Sequence, residues 1–136
     1  MAEKKTWIEK RDIQKIPKVK RTDKDFADIP AGSTMLIATP QLVDAYVKTI
    51  PEGRSLDIKT IRKDLALEYG ADYTCPVTTG IFLRIVAESA HEELQNGGNL
   101  ETITPFWRVV DPKSTLAKKL TFGKELLMEM REKEGI

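Results

Sequence analysis

The chain has 136 residues, of which 40% are hydrophobic and 32% are charged, a composition typical of one globular domain with a charged surface. Its formal net charge is +1, so a nucleic-acid site must come from an uneven distribution of charge, because there is no overall excess of cations. One cysteine and one histidine exclude an internal disulfide and argue against a structural zinc site, and no apolar run approaches the roughly 20 residues of a membrane span. We therefore expect a cytoplasmic protein with no metal, no cofactor and no membrane partner.

Residues 1–31 are predicted to form a basic N-terminal arm in front of a domain that covers residues 32–136. They show no apolar periodicity, and up to residue 24 their cations outnumber their carboxylates. The cations are Lys4, Lys5, Lys10, Arg11, Lys15, Lys18, Lys20, Arg21 and Lys24. Two interpretations stay open: a solvated, flexible arm, or an arm that adds phosphate contacts to a nucleic-acid site.

The domain is predicted to begin with a strand over residues 34–38 and a helix over residues 40–49. Apolar and β-branched residues after a Gly-Ser turn indicate the strand. Thr39 suits the N-cap of the helix, and Pro40 suits its first turn. These two elements are a short strand-helix extension to the segments that follow.

A second helix is predicted over residues 57–69, with Asp57 as its N-cap and Gly70 just beyond its end. Its apolar stripe indicates one buried side. The opposite side carries three cations at helical spacing: Lys59, Arg62 and Lys63. A solvated surface explains such a cluster, and so does a set of phosphate contacts.

A long buried helix is predicted from Thr78 or Thr79 to about Gln95, because its first half is almost entirely apolar. Two helices joined by a short turn, the second buried and opening with hydroxyl residues, are typical of a helix-turn-helix. Thr78, Thr79 and Arg84 would then lie at the DNA groove. The second half of this helix carries three carboxylates, Glu88, Glu92 and Glu93, which would repel a phosphate backbone. Only the first two turns of the helix could therefore enter the groove.

Residues 104–111 concentrate two aromatic rings, an arginine and two β-branched residues in a chain with few aromatics. The β-branched pair predicts a short strand. Two interpretations of Phe106 and Trp107 stay open, filling of the core or the wall of a pocket; on a strand the two rings would face opposite ways, one buried and the other exposed. A polar, lysine-bearing stretch at residues 112–119 could form a wing, and a last helix is predicted over residues 123–133.

This segment resembles the active-site motif of the O6-alkylguanine-DNA alkyltransferase family, which reads Pro-Cys-His-Arg-Val. The matching positions are Pro105, Arg108, Val109 and Val110. Phe106 stands where the family has its reactive cysteine, and Trp107 where it has a histidine; alkyltransferase-like relatives also replace the cysteine. The resemblance extends over roughly residues 50–135, since the Pro-Glu-Gly turn at 51–53 and the closing Glu134-Gly135 are similar to family features.

The resemblance implies an α+β fold, mostly helical: a winged helix-turn-helix domain of the alkyltransferase C-terminal type. It also implies a protein that binds double-stranded DNA and is linked to recognition of alkylation damage or DNA repair. Enzymatic activity is not expected, because Phe106 has no nucleophilic atom and Trp107 has no basic nitrogen. The chain also lacks the family's intercalating arginine near Thr78 or Thr79 and its phosphate-rotating tyrosine near Ile58.

The expected site has two parts. The DNA-binding residues are Lys59, Arg62, Lys63, Thr78, Thr79, Arg84 and Arg108, of which Arg108 would also hold the turn near the motif. Phe106, Trp107 and Glu134 would line a reduced pocket able to stack a base.

Two other functions remain open. A degenerate winged-helix module could bind a protein partner or regulate transcription, which the near-neutral charge and the acidic second half of the long helix favour. Alternatively, Cys75 could act as an alkyltransferase nucleophile, because a helix N-terminus lowers the pKa of a thiol. A small, partly buried residue before Pro76 is the plainer interpretation of that cysteine.

Overall fold

The computed structural model describes residues 5–136, which form a mixed α+β fold of six α-helices, one 3-10 helix and a three-stranded sheet. The α-helices are α1 (Trp7–Arg11), α2 (Pro40–Lys48), α3 (Ile58–Glu68), α4 (Pro76–Gln95), α5 (Thr115–Lys119) and α6 (Glu125–Glu134). The strands are β1 (Lys18–Arg21), β2 (Thr34–Ile37) and β3 (Tyr73–Thr74), and the 3-10 helix spans Phe106–Arg108. The α+β class expected from the sequence is confirmed at this level.

The N-terminal segment contributes one helix and one strand. Thr6 and Glu9 form a capping box that starts α1, and α1 packs against α4. β1 pairs antiparallel with β2, with Lys18 opposite Ile37. Residues 1–4, which the sequence assigns to the basic arm, lie outside the described residues.

The sheet has the order β1-β2-β3, so that β2 is its central strand. β2 and β3 run parallel, with Met35 opposite Tyr73, and the crossover between them contains α2 and α3. The ladder continues into the next element, since the Cys75 amide donates to the Leu36 carbonyl at 2.8 Å. Leu36 is completely buried, so the sheet is fixed to the helical core through its middle strand.

Local capping explains where α2 and α3 begin and end. The Thr39 hydroxyl accepts from the Leu42 amide at 3.1 Å, and the Asp57 carboxylate accepts from the Thr60 amide at 2.7 Å. Gly70 has φ +65° and follows α3 in a Schellman motif, in which the Ala71 amide donates to the Ala66 carbonyl at 2.9 Å. The predicted strand at 34–38 and both predicted helices are confirmed within one or two residues.

α4 is the central helix of the core. It begins at Pro76, two to three residues earlier than predicted, and ends at Gln95 as expected. Its inner side is fully buried along two turns, through Leu83, Val86 and Ala90. α1, α2, α3 and the 3-10 helix all pack against it.

The prediction of a strand at 104–111 is wrong, because residues 106–108 form a 3-10 turn. Successive side chains of a 3-10 helix point about 120° apart, so they need not alternate between core and solvent as on a strand. Phe106 and Trp107 are both buried, at 0% and 1% exposure, with their rings edge-to-face at 5.3 Å. The expectation that one ring is exposed is therefore also wrong.

The segment predicted as a wing forms a turn and α5. The Ser114 amide donates to the Asp111 carbonyl at 2.9 Å, and the Ser114 hydroxyl then caps α5 by accepting from the Ala117 amide at 3.2 Å. Among residues 5–136, no β-hairpin follows α4. α6 occupies the predicted C-terminal position and ends at Gly135, which has φ +73°. No helix in this range has the length and apolar character needed to cross a membrane.

Candidate nucleic-acid interface

Only two of the three expected cations of α3 are free at the surface. Lys59 and Lys63 are exposed and lie one turn apart. Arg62 is 12% exposed in its side chain, and its guanidinium makes two hydrogen bonds to Asp28, at 2.9 and 2.8 Å. Its Nε also donates to the Thr74 carbonyl at 2.9 Å, and the pKa of Asp28 is lowered by the Arg62 contact. Arg62 therefore ties α3 to neighbouring segments and is not positioned for phosphate.

The two expected groove residues at the start of α4 are not equivalent. Thr79 is completely buried, and its hydroxyl donates to the Cys75 carbonyl at 2.6 Å, so Thr79 cannot reach DNA. Because α4 begins at Pro76, Thr79 lies at the end of its first turn and not at its exposed start. Thr79 is one turn before Leu83, on the side of α4 that faces the core. Thr78 is half-buried, but its hydroxyl oxygen is itself buried and has no partner among the described residues, so this hydroxyl does not face the surface either. Cys75 is 4% exposed at the N-cap of α4, which excludes it from the surface.

Arg84 lies beside two residues that the sequence did not assign to the site. Its guanidinium lies 5.3 Å from the centre of the Trp7 ring, and the Lys10 ammonium lies 4.2 Å from the same ring. The Arg84 side chain is one third exposed. Nothing local could have shown this arrangement, since Trp7 and Arg84 are far apart in the chain.

The three carboxylates of α4 that were expected to repel phosphate are all occupied by other segments. Glu88 is 2% exposed and accepts from the Thr121 amide at 2.9 Å and from the Thr121 hydroxyl. Glu92 accepts from the first two amides of α1 at 3.2 and 3.3 Å. Glu93 forms an ion pair with Arg11. Glu93 pairs with a cation and Glu88 lies 3.6 Å from the Arg84 guanidinium, whereas the two donors to Glu92 are neutral amides. The second half of α4 therefore keeps part of its negative charge.

A groove of about 650 Å³ runs between α1, the first half of α4 and α5; we call it the α4 groove. Its lining residues are apolar, small or cationic, and none is a carboxylate. They are Trp7, Lys10, Val77, Gly80, Ile81, Arg84, Ile85, Thr115, Leu116 and Lys119. The groove therefore has an apolar floor and a positive rim supplied by three separate helices.

Two smaller cavities continue this surface towards α3. One of about 280 Å³ lies between the start of α3 and residues 109–116, and it shares Leu116 with the α4 groove. The other, of about 410 Å³, is lined by Lys63 and shares Lys59 with the first. Asp57 and Asp111 also line the first cavity, so the positive surface is continuous in shape but is interrupted by carboxylates.

Arg108 lies at an internal junction and does not face a DNA surface. Its Nε donates to Glu134 at 2.9 Å, and one terminal nitrogen donates to the Ile50 carbonyl at 2.7 Å. The Arg108 side chain is 15% exposed and that of Glu134 is 2% exposed. Arg108 thus holds the turn at residues 50–53, which lies outside the motif where the sequence placed its role, and the expectation that it contacts DNA is not supported.

At the expected pocket of Phe106, Trp107 and Glu134, a cavity of about 420 Å³ borders Trp107 and Glu134 but not Phe106, and the polar groups in its wall bond one another. The Trp107 indole N–H donates to Glu134 at 2.6 Å, and the Gly53 amide donates to the same carboxylate at 2.9 Å. Burial raises the pKa of Glu134, but these donors and Arg108 outweigh burial and lower the pKa to about 2. Because the Phe106 ring is fully buried, it has no face on which a base could stack.

Across residues 5–136, no three His, Cys, Asp or Glu side chains are grouped so as to hold a metal ion. Comparison of the chain with protein-family models, with curated proteins and with solved structures finds no match.

Proposed function

We propose that this protein binds double-stranded DNA without chemical catalysis. The exposed side of the first half of α4 faces the major groove, and cations of α1, α3 and α5 contact phosphates on either side. In this proposal α3 and α4 act as the helix-turn-helix pair of an alkyltransferase-like protein. α5 takes the place of a β wing.

The observation that carries the proposal is the distribution of charge around α4. From Pro76 to Ala87 the helix has no carboxylate, and the carboxylates that follow are engaged by Thr121, α1 and Arg11. The cations around the exposed half come from four helices: Lys10, Lys59, Lys63, Arg84 and Lys119. A chain with a net charge of +1 thus has several cations on one face, which supports DNA binding, although Asp57 and Asp111 lie between those of α3 and those of the α4 groove.

The resemblance to the alkyltransferase family gains support from the contact between Trp107 and Glu134. In the family, the histidine and the glutamate at these two positions act together to activate the cysteine. Here the two side chains lie 27 positions apart in sequence and are directly hydrogen-bonded at 2.6 Å. Phe106, at the position of the family's nucleophile, belongs to the core, and the thiol of Cys75 is buried, so the described residues offer no accessible thiol.

Recognition of alkylated bases would require a place to hold an extrahelical base. Neither ring at 106–107 has an exposed face on which a base could stack, because both are buried. An extrahelical base would have to be held either in the cavity of about 420 Å³ beside Trp107 and Glu134 or in that of about 280 Å³ beside Val109 and Val110. A comparison of plain and O6-alkylated duplexes separates general binding from lesion recognition.

The test is a fluorescence anisotropy titration of a plain duplex at two salt concentrations. We expect affinity to fall steeply with salt, and Lys59→Glu combined with Lys63→Glu to weaken binding at least tenfold. Arg62 is not used for this test, because Arg62→Glu would also break the ion pair with Asp28. Loss of two phosphate contacts should reduce the slope of log K against log salt by about 2.

Lys133→Glu is the matched control, because it reverses an exposed charge on α6 away from the α4 groove. It should leave duplex affinity within about twofold of wild type. Absent binding, or binding that does not depend on salt, would contradict the proposed function.

A further inference from the structure

The floor of the α4 groove exposes apolar side chains that a DNA backbone does not need. Val77 and Ile81 lie one turn apart on α4, and each is 53% exposed. Leu116 of α5 lies across the groove from them. An apolar stripe framed by polar residues is typical of a protein–protein contact.

Gly80 leaves room for close approach at the centre of this stripe. A Cβ built on Gly80 would have nothing within 4 Å, so the space above its backbone is open. The groove volume of about 650 Å³ lies within the range of roughly 300–1,000 Å³ typical of sites that enclose a ligand. The shape therefore suits an occupant that inserts side chains between α4 and α5.

The rim of the groove specifies the charge of that occupant. Lys10, Arg84 and Lys119 line it, and no lining residue is a carboxylate. The Nε atom of Arg84 is buried and makes no hydrogen bond in the described chain; the nearest carboxylate oxygen, of Glu88, lies 3.6 Å away. An occupant with carboxylates beside an apolar stripe would complement both the floor and the rim.

We propose that the α4 groove binds an acidic amphipathic helix of a partner protein. Apolar residues of that helix, spaced i, i+4 and i+7, would pack on Val77, Ile81 and Leu116, and its flanking carboxylates would pair with the rim cations. Because the groove belongs to the surface assigned to DNA, the helix would also compete with duplex. The competition rests on the proposed function, whereas the helix binding does not.

The probe is a fluorescently labelled synthetic helix of about four turns, with leucines along one stripe and glutamates beside it. Two control peptides keep its length: one has the leucines scrambled around the helix, and the other replaces the glutamates by lysines. We expect saturable binding of the acidic amphipathic peptide, and binding at least about tenfold weaker for both controls.

Two substitutions in the protein test the location. Gly80→Phe fills the groove from a position that faces open space, and it should weaken peptide binding at least about tenfold. Gly80→Ala adds only a methyl group and should retain binding, which separates groove filling from loss of the glycine. The double variant Lys10→Glu and Lys119→Glu reverses two rim cations of the α4 groove and leaves its apolar side chains unchanged. Lys133→Glu is the control for this charge reversal.

Retained affinity in Gly80→Phe, equal binding of the lysine peptide, or no binding of the acidic peptide would overturn the proposal. A wild-type dimer in sedimentation that is lost in Gly80→Phe would assign the groove to a second copy and would also overturn it. Binding of the peptide without binding of DNA would support this inference and contradict the proposed function. Displacement of duplex by the peptide supports both.

Discussion

At the scale of single residues, Glu134 joins three segments that are distant in sequence. Its carboxylate accepts hydrogen bonds from Gly53 in the turn after α2, and from Trp107 and Arg108 in the 3-10 helix, while its own backbone belongs to α6. The Arg131 side chain completes this junction by donating to the Trp107 carbonyl at 2.7 Å. A buried charge with this many donors is stabilised in its ionised form.

Glu134→Gln should lower the free energy of unfolding at pH 7 by about 3 kcal/mol, because it removes a buried charge whose donors remain. The folded-state pKa of Glu134 is about 2 and its ordinary value is 4.5, so the stabilisation is complete above pH 4.5 and is lost as the pH falls towards 2. Urea unfolding at pH 7 and at pH 3 measures the difference between wild type and variant.

The difference in free energy of unfolding between wild type and Glu134→Gln should be smaller at pH 3 than at pH 7. Glu132→Gln, an exposed neighbour on α6, should behave like wild type at both pH values. A variant whose deficit is the same at pH 3 as at pH 7 would show that the charge of Glu134 is not what stabilises the junction.

At the scale of elements, the helix limits that could be predicted are those set by capping residues close to them in sequence. Thr39, Asp57 and Gly70 act on amides and carbonyls within a few residues of themselves, so the limits of α2 and α3 could be predicted from the sequence. The segment at 106–108 could not, because β-branched neighbours favour a strand while packing of both rings into the core requires a 3-10 turn. The buried position of Thr79 was missed for a similar reason, since it depends on where α4 begins.

Glycine substitutions at two helical sites should have opposite effects on stability. Gly80→Ala, within α4 and facing open space, should raise the free energy of unfolding by roughly 0.5–1 kcal/mol, because alanine is the better helix former. Gly70→Ala should lower it by roughly 1–2 kcal/mol, because φ +65° strains any residue with a Cβ. Thermal and urea unfolding of both variants provide the measurement, and a stabilised Gly70→Ala would refute the αL ending of α3.

At the scale of the whole molecule, the N-terminal segment is joined to the far end of α4. Trp7 and Ile8 donate their amides to Glu92, and Arg11 pairs with Glu93, across more than 80 residues of sequence. The positive charges of residues 1–31 left open a solvated arm or an arm that contacts phosphates, and no periodic pattern revealed a helix of five residues. The candidate site was incomplete for the same reason, because Trp7 and Lys10 reach the α4 groove only through these long-range contacts.

Glu92→Ala should loosen α1 without unfolding the core. Two amides at the start of α1 would lose their acceptor, which costs roughly 1–3 kcal/mol of local stability. Limited trypsin digestion followed by mass spectrometry should show faster cleavage after Lys10 and Arg11. Glu129→Ala, an exposed substitution on α6, should leave cleavage at those sites unchanged, and equal rates in both variants would contradict the role of Glu92.

The central position of β2 determines how this protein can be divided. β2 pairs with β1 on one side and with β3 on the other, and Leu36 places it in the same core as α3 and α4. A fragment that starts at residue 50 contains both helices of the proposed DNA-binding pair, yet it leaves β3 without its ladder and uncovers the core beneath Leu36. The two halves are therefore complementary pieces: each alone should be insoluble, whereas together they could reassociate without a peptide bond between them.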